Sequence, residues 1–291
     1  MDRVIRSSLG RCSSRRDGRE AGATGECAEA IESVLLGDGG RSLPFDGIDT
    51  REELLERLAT LIDEASEEVA LSAPVAVFDA LESHLREALE RGVLVVVLVT
   101  DNDDLTPSRF EGVASVARIW SKSAPLLATV DYRWGVMAPR GLLTGDGSDG
   151  ALVLEQRELA YLLMGSFFGN YWRIATQAYT AEPAKLPATY TNIRHAVFQA
   201  ALYVQADAAV YVTAEAKPVG IETYDTVEGR LVDVRQSLLE PVFESFAIEN
   251  ALILERDGED GEGEGERITL GGSGAFVEEF RTRSVTFSAL E

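Results

Sequence analysis

An α/β subdomain followed by a small all-β domain is the fold this sequence predicts, on three observations. Between about residues 49 and 100, two amphipathic helix patterns alternate with two strand patterns, the order of an α/β unit. Beyond about residue 206 the helical period gives way to short alternating or β-branched segments separated by turns, which imply a small sandwich or barrel. A stretch with two prolines, AEPAKLPATYT at residues 181–191, lies between these regions. The chain of 291 residues is comfortable for two cores, since domains commonly run ~100–150 residues. The expected organisation is an irregular segment at 1–48, an α/β subdomain at 49–206 and a β domain at 207–291.

The elements follow in order. Asp49 or Thr50 can cap a helix whose Leu54, Leu55, Leu58, Leu61, Ile62 and Ala65 share one face. A short strand is expected at 68–72, then a helix over 75–91 with Phe78, Leu81, Leu85 and Leu89 at helical spacing, ended by Gly92. The run VLVVVLVT at 93–100 suits a strand buried on both faces, as in a parallel sheet. Further strands are expected at 115–120, 126–132 and 134–138, the last two as a hairpin. A long aromatic helix is expected over 157–178 and another over 192–205. In the β domain the expected strands are 209–214, 219–223, 228–235, 251–256, 267–270, 275–280 and 284–288. The acidic DGEDGEGEGE at 257–266 reads as an expanded hairpin connection.

Composition narrows the function classes. The formal net charge is −22, with 27 basic against 49 acidic residues. Only Lys122, Lys185 and Lys217 are lysines. A dense carboxylate surface with few lysines suits a halophilic protein in molar salt, where the screening length falls to ~3 Å. DNA binding rests on Lys and Arg neutralising phosphates. Past residue 27 the chain has 45 acidic residues against 21 basic ones, so this body is not expected to grip nucleic acid by itself. The Arg-rich first 27 residues read as a disordered tail. A short helix is expected at 28–36. No apolar run reaches the ~18–20 residues of a membrane span, and no secretory signal opens the chain. A cytoplasmic protein without membrane contact is the expectation.

Catalytic chemistry finds little purchase. The two cysteines, Cys12 and Cys27, lie in the tail, and the only histidines are His84 and His195; neither a disulfide framework nor a zinc centre follows. No P-loop, dinucleotide fingerprint or nucleophile elbow is present. The DNDDL cluster at 101–105 and GDGSDG at 145–150 read as solvated turns rather than cation loops. No catalytic residue, metal ligand or cofactor site is assigned.

The order of six segments carries a family resemblance: EELLERLATLIDEASEEVAL, LREALERGVLVVVLVT, LAYLLMGSFFGNYW, LPATYTNIRHAV, EGRLVDVRQSLLEP and GGSGAFVEEF. From about Asp49 onward the chain resembles the effector-binding region of TrmB family archaeal transcription regulators. The resemblance implies a phospholipase-D-like α/β subdomain followed by a small all-β, sandwich- or barrel-like domain. It also implies a small-molecule effector, a sugar, and regulation of carbohydrate or central carbon metabolism as a homodimer or with a full-length regulator. DNA contact in that family comes from a winged helix-turn-helix, which cannot be placed in residues 1–48; either that domain is absent or the chain is not full length. Phospholipase-D catalysis needs H-x-K, and neither His84 nor His195 is followed by it. The resemblance places effector contacts on and after a glycine in the EGRLVDVRQS block, here Glu228, Gly229, Arg230, Asp233 and Arg235. Two other functions compete with sensing: a phospholipase-D-like phosphodiesterase or nuclease, and a stand-alone dimerisation module acting through the helix at 51–66.

Overall fold

The computed structural model describes residues 45–145, 149–240, 249–256, 265–275 and 277–290. The expectations for the tail, for the helix at 28–36, for Cys12 and Cys27 and for most of the 257–266 connection lie outside the described residues.

Strand β1 (Phe45–Ile48) leads into helix α1 (Arg51–Asp63), which starts at the N-cap Thr50. The Thr50 hydroxyl accepts from the Glu53 backbone N–H at 3.2 Å, while Glu52 and Glu53 place negative charge at the positive end of the helix. Leu54, Leu58, Leu61 and Ile62 are buried in the chain's own core. Strand β2 (Glu68–Pro74), helix α2 (Val75–Glu90) and strand β3 (Leu94–Thr100) follow as expected, with Gly92 left-handed (φ +85°) in the turn between α2 and β3.

The first sheet has eight strands, adding β4 (Val116–Trp120), β5 (Leu126–Val130), β6 (Trp134–Ala138), β7 (Ala151–Glu155) and β8 (Thr176–Thr180). Their order is β1-β7-β6-β5-β2-β3-β4-β8. Strands β2, β3 and β4 pair in parallel; β5 turns back antiparallel on β2, and β8 on β4. All seven residues of β3 are buried, as the β-branched run requires. One face packs on α1 and α2. The other packs beneath α4 (Arg157–Ser166, preceded by the short α3, Arg140–Thr144) and the β domain.

The second sheet closes on itself. Strands β10 (Val210–Pro218), β11 (Asp225–Arg235), β12 (Ala251–Arg256), β13 (Glu266–Gly271) and β14 (Phe280–Ala289) pair in sequence, and β14 returns to β10, making a small barrel. A short strand β9 (Ala188–Tyr190) adds to β14. Helix α5 (Ile193–Gln205) packs against β9, β11, β12 and β14. It thus covers the barrel rather than closing the α/β subdomain. The core is continuous across the two parts: Leu94, Val96 and Leu98 of β3 belong to the same cluster as Phe198 of α5 and Phe287 of β14.

Three elements differ from expectation. The helix predicted over 157–178 ends as an α-helix at Ser166, continues as a π-turn (Phe167–Tyr171) and a 3-10 turn (Trp172–Ile174), and gives way to β8. The residues predicted as strand 219–223 form a turn around Gly220 (φ +90°), and most of those predicted as strand 275–280 form the loop before β14. Polar and glycine residues in both stretches favour the turn over the ladder. Strands β1, β7 and β9 were not anticipated; β1 and β9 are at most four residues long, too short for a period to show.

Candidate functional site

A cavity of about 570 Å³ opens where the α/β subdomain, the start of α5 and the barrel meet. This is within the range of small-molecule sites, ~300–1,000 Å³.

The α/β wall is built on one turn. Residues 130–133 link β5 to β6, closed by the Arg133 N–H donating to the Val130 carbonyl at 3.0 Å. Both central residues are left-handed, Asp131 at φ +51° and Tyr132 at φ +56°, the backbone of a type I′ hairpin turn. The Asp131 carboxylate holds it in place. It accepts from the backbone N–H groups of Ser66, Glu67 and Glu68 at 2.8–2.9 Å, and from the Ser66 hydroxyl at 2.9 Å. The turn is thereby tied to the head of β2, and Tyr132 is brought beside Tyr161 of α4, ring centroids 5.5 Å apart.

Beneath these rings lies a buried charge network. The Tyr132 hydroxyl donates to Glu68 Oε2 at 2.7 Å, and Arg194 Nη1 donates to Glu68 Oε1 at 2.5 Å. The Arg194 and Glu68 side chains are 4% and 3% exposed. The guanidinium also lies 4.5 Å from the Phe168 ring centroid and 5.4 Å from that of Tyr132, a cation–π arrangement. Burial pulls the Arg194 pKa down, but the adjacent Glu68 outweighs it and holds the arginine above its ordinary value. Burial pushes Tyr132 well up, with Glu68 adding to the shift and Arg194 opposing it. The network is a fixed ion pair with a neutral phenol.

Asn192 caps α5, its Oδ1 accepting from the His195 backbone N–H at 3.1 Å. Its Nδ2 is buried at the cavity with no partner. The barrel wall is the loop between β13 and β14, with Gly272, Ser273, Gly274, Ala275, Val277 and Glu278. A Cβ on Gly272 would lie 2.5 Å from the Ile193 side chain, so only glycine lets this loop rest on the first turn of α5. Glu278 is half-buried and forms no ion pair among the described residues. Tyr224 stands at the rim, its ring centroid 4.3 Å from the Arg283 guanidinium and 5.1 Å from Lys217 Nζ. Glu67 lies on the α/β side, its pKa raised by partial burial and then by Asp131 and Glu68.

The arginines here are already balanced. Arg194 is spent on Glu68, Arg283 on Glu215 at 2.9 Å, and Arg157 lies against the Tyr161 hydroxyl at 3.4 Å and near Glu67. The site presents tyrosine rings, carboxylate acceptors and amide or hydroxyl donors rather than a concentration of positive charge. Such a lining suits a neutral, polyhydroxylated molecule.

The sequence-predicted residues lie on β11, whose faces alternate. Gly229 points inward; a Cβ there would meet the Glu255 carbonyl oxygen at 2.9 Å, so its glycine is required by strand packing. Glu228 accepts from the Thr213 hydroxyl at 3.2 Å, Arg230 pairs with Glu255, and Asp233 accepts from the Val234 N–H at 2.8 Å. None of these four lines the cavity. Arg235 reaches it at one remove, donating at 2.9 Å to Glu249, a lining residue. On the barrel side the cavity is lined in part by Gly272, Ser273 and Gly274, small residues that allow close backbone approach.

The histidines are placed separately. His84 hydrogen-bonds Asp63 at 2.7 Å on the α1–α2 face. His195 packs against the rings of Tyr190 and Phe198, centroids 4.6 and 6.5 Å away, and burial lowers its pKa to about 4. It is therefore neutral in the folded state where the unfolded chain would take up a proton. Stability is accordingly full above about pH 6.5 and falls as pH drops from about 6.5 to about 4. The loss expected from this group is about 2–3 kcal/mol. Urea unfolding of the wild type and of His195→Phe across that window should show a flatter pH dependence in the variant. In the DNDDL turn Asp101 pairs with Arg140 at 3.6 Å. Among the described residues no group of three or more His, Cys, Asp or Glu side chains converges as a metal site would require.

Two family models match the chain. Residues 45–179 match the N-terminal subdomain of the effector-binding domain of transcriptional regulator TrmB, and residues 185–290 match the C-terminal subdomain of the effector-binding domain of TrmB/TrmBL1. The chain belongs to the TrmB family. The matched stretches leave out only 1–44, 180–184 and 291, and their junction falls before β9 and α5. Among solved structures, TrmBL2, an archaeal chromatin protein described as showing a novel mode of DNA binding, is 16% identical over 60% of this chain and 69% of its own, with a TM-score of 0.39. Nuc, a phospholipase D family member from Salmonella typhimurium, is 13% identical over 47% of this chain and 98% of its own, with a TM-score of 0.34. No curated protein matches. This TrmB effector-binding region thus combines an α/β subdomain with a closed β barrel, and no helix among its described residues is long and apolar enough to cross a membrane.

Proposed function

We propose that this chain is the sensing region of a TrmB regulator of carbohydrate or central carbon metabolism, that it is non-catalytic, and that its effector is a sugar bound in the cavity between the α/β subdomain and the barrel. The lining carries the reading. Free or weakly engaged acceptors (Glu67, Glu278), an unpartnered donor (Asn192 Nδ2) and tyrosine faces stand around a space of small-molecule size, while each arginine is already matched by an acidic or phenolic neighbour. Hydroxyls that both donate and accept would satisfy such a wall; to reach Arg194 or Arg283, a phosphate or carboxylate would first have to displace Glu68 or Glu215. Of the β11 residues, Arg235 belongs to this site through Glu249. The regulator works as a homodimer or with a full-length partner, with DNA contact supplied by a winged-helix domain.

A ligand that binds only the folded state stabilises it by about 2.7 kcal/mol at one hundred times its Kd. Thermal unfolding in concentrated KCl with D-glucose, maltose and other mono- and disaccharides should raise Tm for at least one of them. A flat response across the whole panel would overturn the sugar reading.

A further inference from the structure

The cavity is composite, and the α/β subdomain's share of it is unusual. A type I′ turn favours glycine or asparagine at its second central position because φ is positive there. This one carries a tyrosine, a bulky side chain in a region where such residues are rare and cost of order 1–3 kcal/mol. The turn does not select Tyr132; something else retains it. Its hydroxyl is occupied by Glu68 at 2.7 Å, so the ring, not the hydroxyl, is what the position offers to the cavity. Tyr161 stands beside it at 5.5 Å. Asp131 spends its whole carboxylate holding the turn, through four hydrogen bonds to residues 66–68.

We propose that Tyr132 and Tyr161 form an aromatic platform that contacts the effector directly and sets its specificity, so that the ligand is gripped by the α/β subdomain on one side and by residues 272–275, 277 and 278 on the other. The proposal rests on the sugar-sensing reading above. The apolar C–H face of a pyranose lies on such a platform while its hydroxyls meet Asn192, Glu67 and Glu278. Binding then requires both subdomains, and a filled cavity ties the head of β2 to the barrel loop.

Calorimetric titration of the intact chain in concentrated KCl, with D-glucose and maltose as probes, separates the possibilities. Tyr161→Ala and Tyr132→Leu should each weaken binding by roughly tenfold, the scale of one aromatic contact, and should change the maltose-to-glucose affinity ratio. Tyr132→Phe keeps the ring and loses the bond to Glu68, so it should lower Tm yet retain most of the affinity. That ordering is what a purely structural tyrosine would not give. If affinity instead follows Tm, with Phe as damaging as Leu, the platform is overturned. If Tyr161→Ala and Tyr132→Leu both bind as wild type while Gly272→Val in the barrel loop does not, the platform is overturned and the sugar reading stands. If the wild type binds neither probe, both readings fail for these sugars.

Discussion

Replacing Arg194 with methionine is expected to destabilise the folded chain by about 3–5 kcal/mol, the largest effect of any single charge removal in the molecule. The reason is the burial of both partners. Glu68 and Arg194 are 126 residues apart in sequence, 2.5 Å apart in space, and almost wholly excluded from solvent. Removing the guanidinium leaves Glu68 with one donor, the Tyr132 hydroxyl, and no compensating charge. The carboxylate must then take up a proton or draw water into the core. Glu68→Gln should cost less, since the amide oxygen still accepts from Arg194, but it strands the arginine's charge. The double variant Arg194→Met with Glu68→Leu should recover much of the loss, because apolar pairs of similar volume often replace a buried ion pair at little cost. Urea unfolding of the three variants in concentrated KCl tests this. A loss below about 1 kcal/mol for Arg194→Met would place the pair among surface bridges. High salt will not rescue the single variants, since screening acts on exposed charges and reaches buried ones weakly.

The same residues show why the fold was more legible than the site. Local patterns announce local structure. The Thr50 cap and the leucine stripe behind it specify α1, and the seven-residue run of β3 can only be a strand with both faces covered. The cavity has no such local signature. Its walls come from the head of β2, the β5–β6 turn, the start of α4, the start of α5 and the β13–β14 loop, which only the folded topology brings together. The EGRLVDVRQS block was singled out by the family resemblance, which places effector contacts on and after its glycine. In the barrel its polar residues alternate outward, and Gly229 is explained by its approach to Glu255. Asp131 and Tyr132 gave no warning, because nothing in the sequence says that a tyrosine will be held at positive φ.

The misread aromatic helix leads to the second large effect, Trp172→Ala, expected to cost about 3–5 kcal/mol as other large-to-small core changes do. Aromatic spacing over 157–174 suits a continuous helix, but an α-helix at about 100° per residue would set Phe167 about 140° away from Trp172. The π-turn and the 3-10 turn rotate Phe167, Phe168 and Trp172 inward, and such local departures from the α-helix mark places where another requirement has won. Trp172 stacks on Phe167 at 5.6 Å and meets Phe168 edge-on at 6.0 Å. Its indole N–H donates to the carbonyls of Ser237 and Leu238 at 3.1 and 3.2 Å, and its own carbonyl accepts from the buried Arg118 of β4 at 2.9 Å. Trp172 therefore links the segment after β11, through its indole N–H, to β4 of the first sheet, through its backbone carbonyl. Alanine would open a void and free that segment, so the loss should appear in urea unfolding and as faster amide exchange at residues 236–239. Trp172→Phe separates the two contributions: it keeps most of the volume and removes the N–H, so it should cost about 1–3 kcal/mol while still loosening 236–239. If Phe restored both stability and protection, packing alone would hold the subdomains together. If only stability recovered, the indole hydrogen bond is what couples the barrel to the sheet.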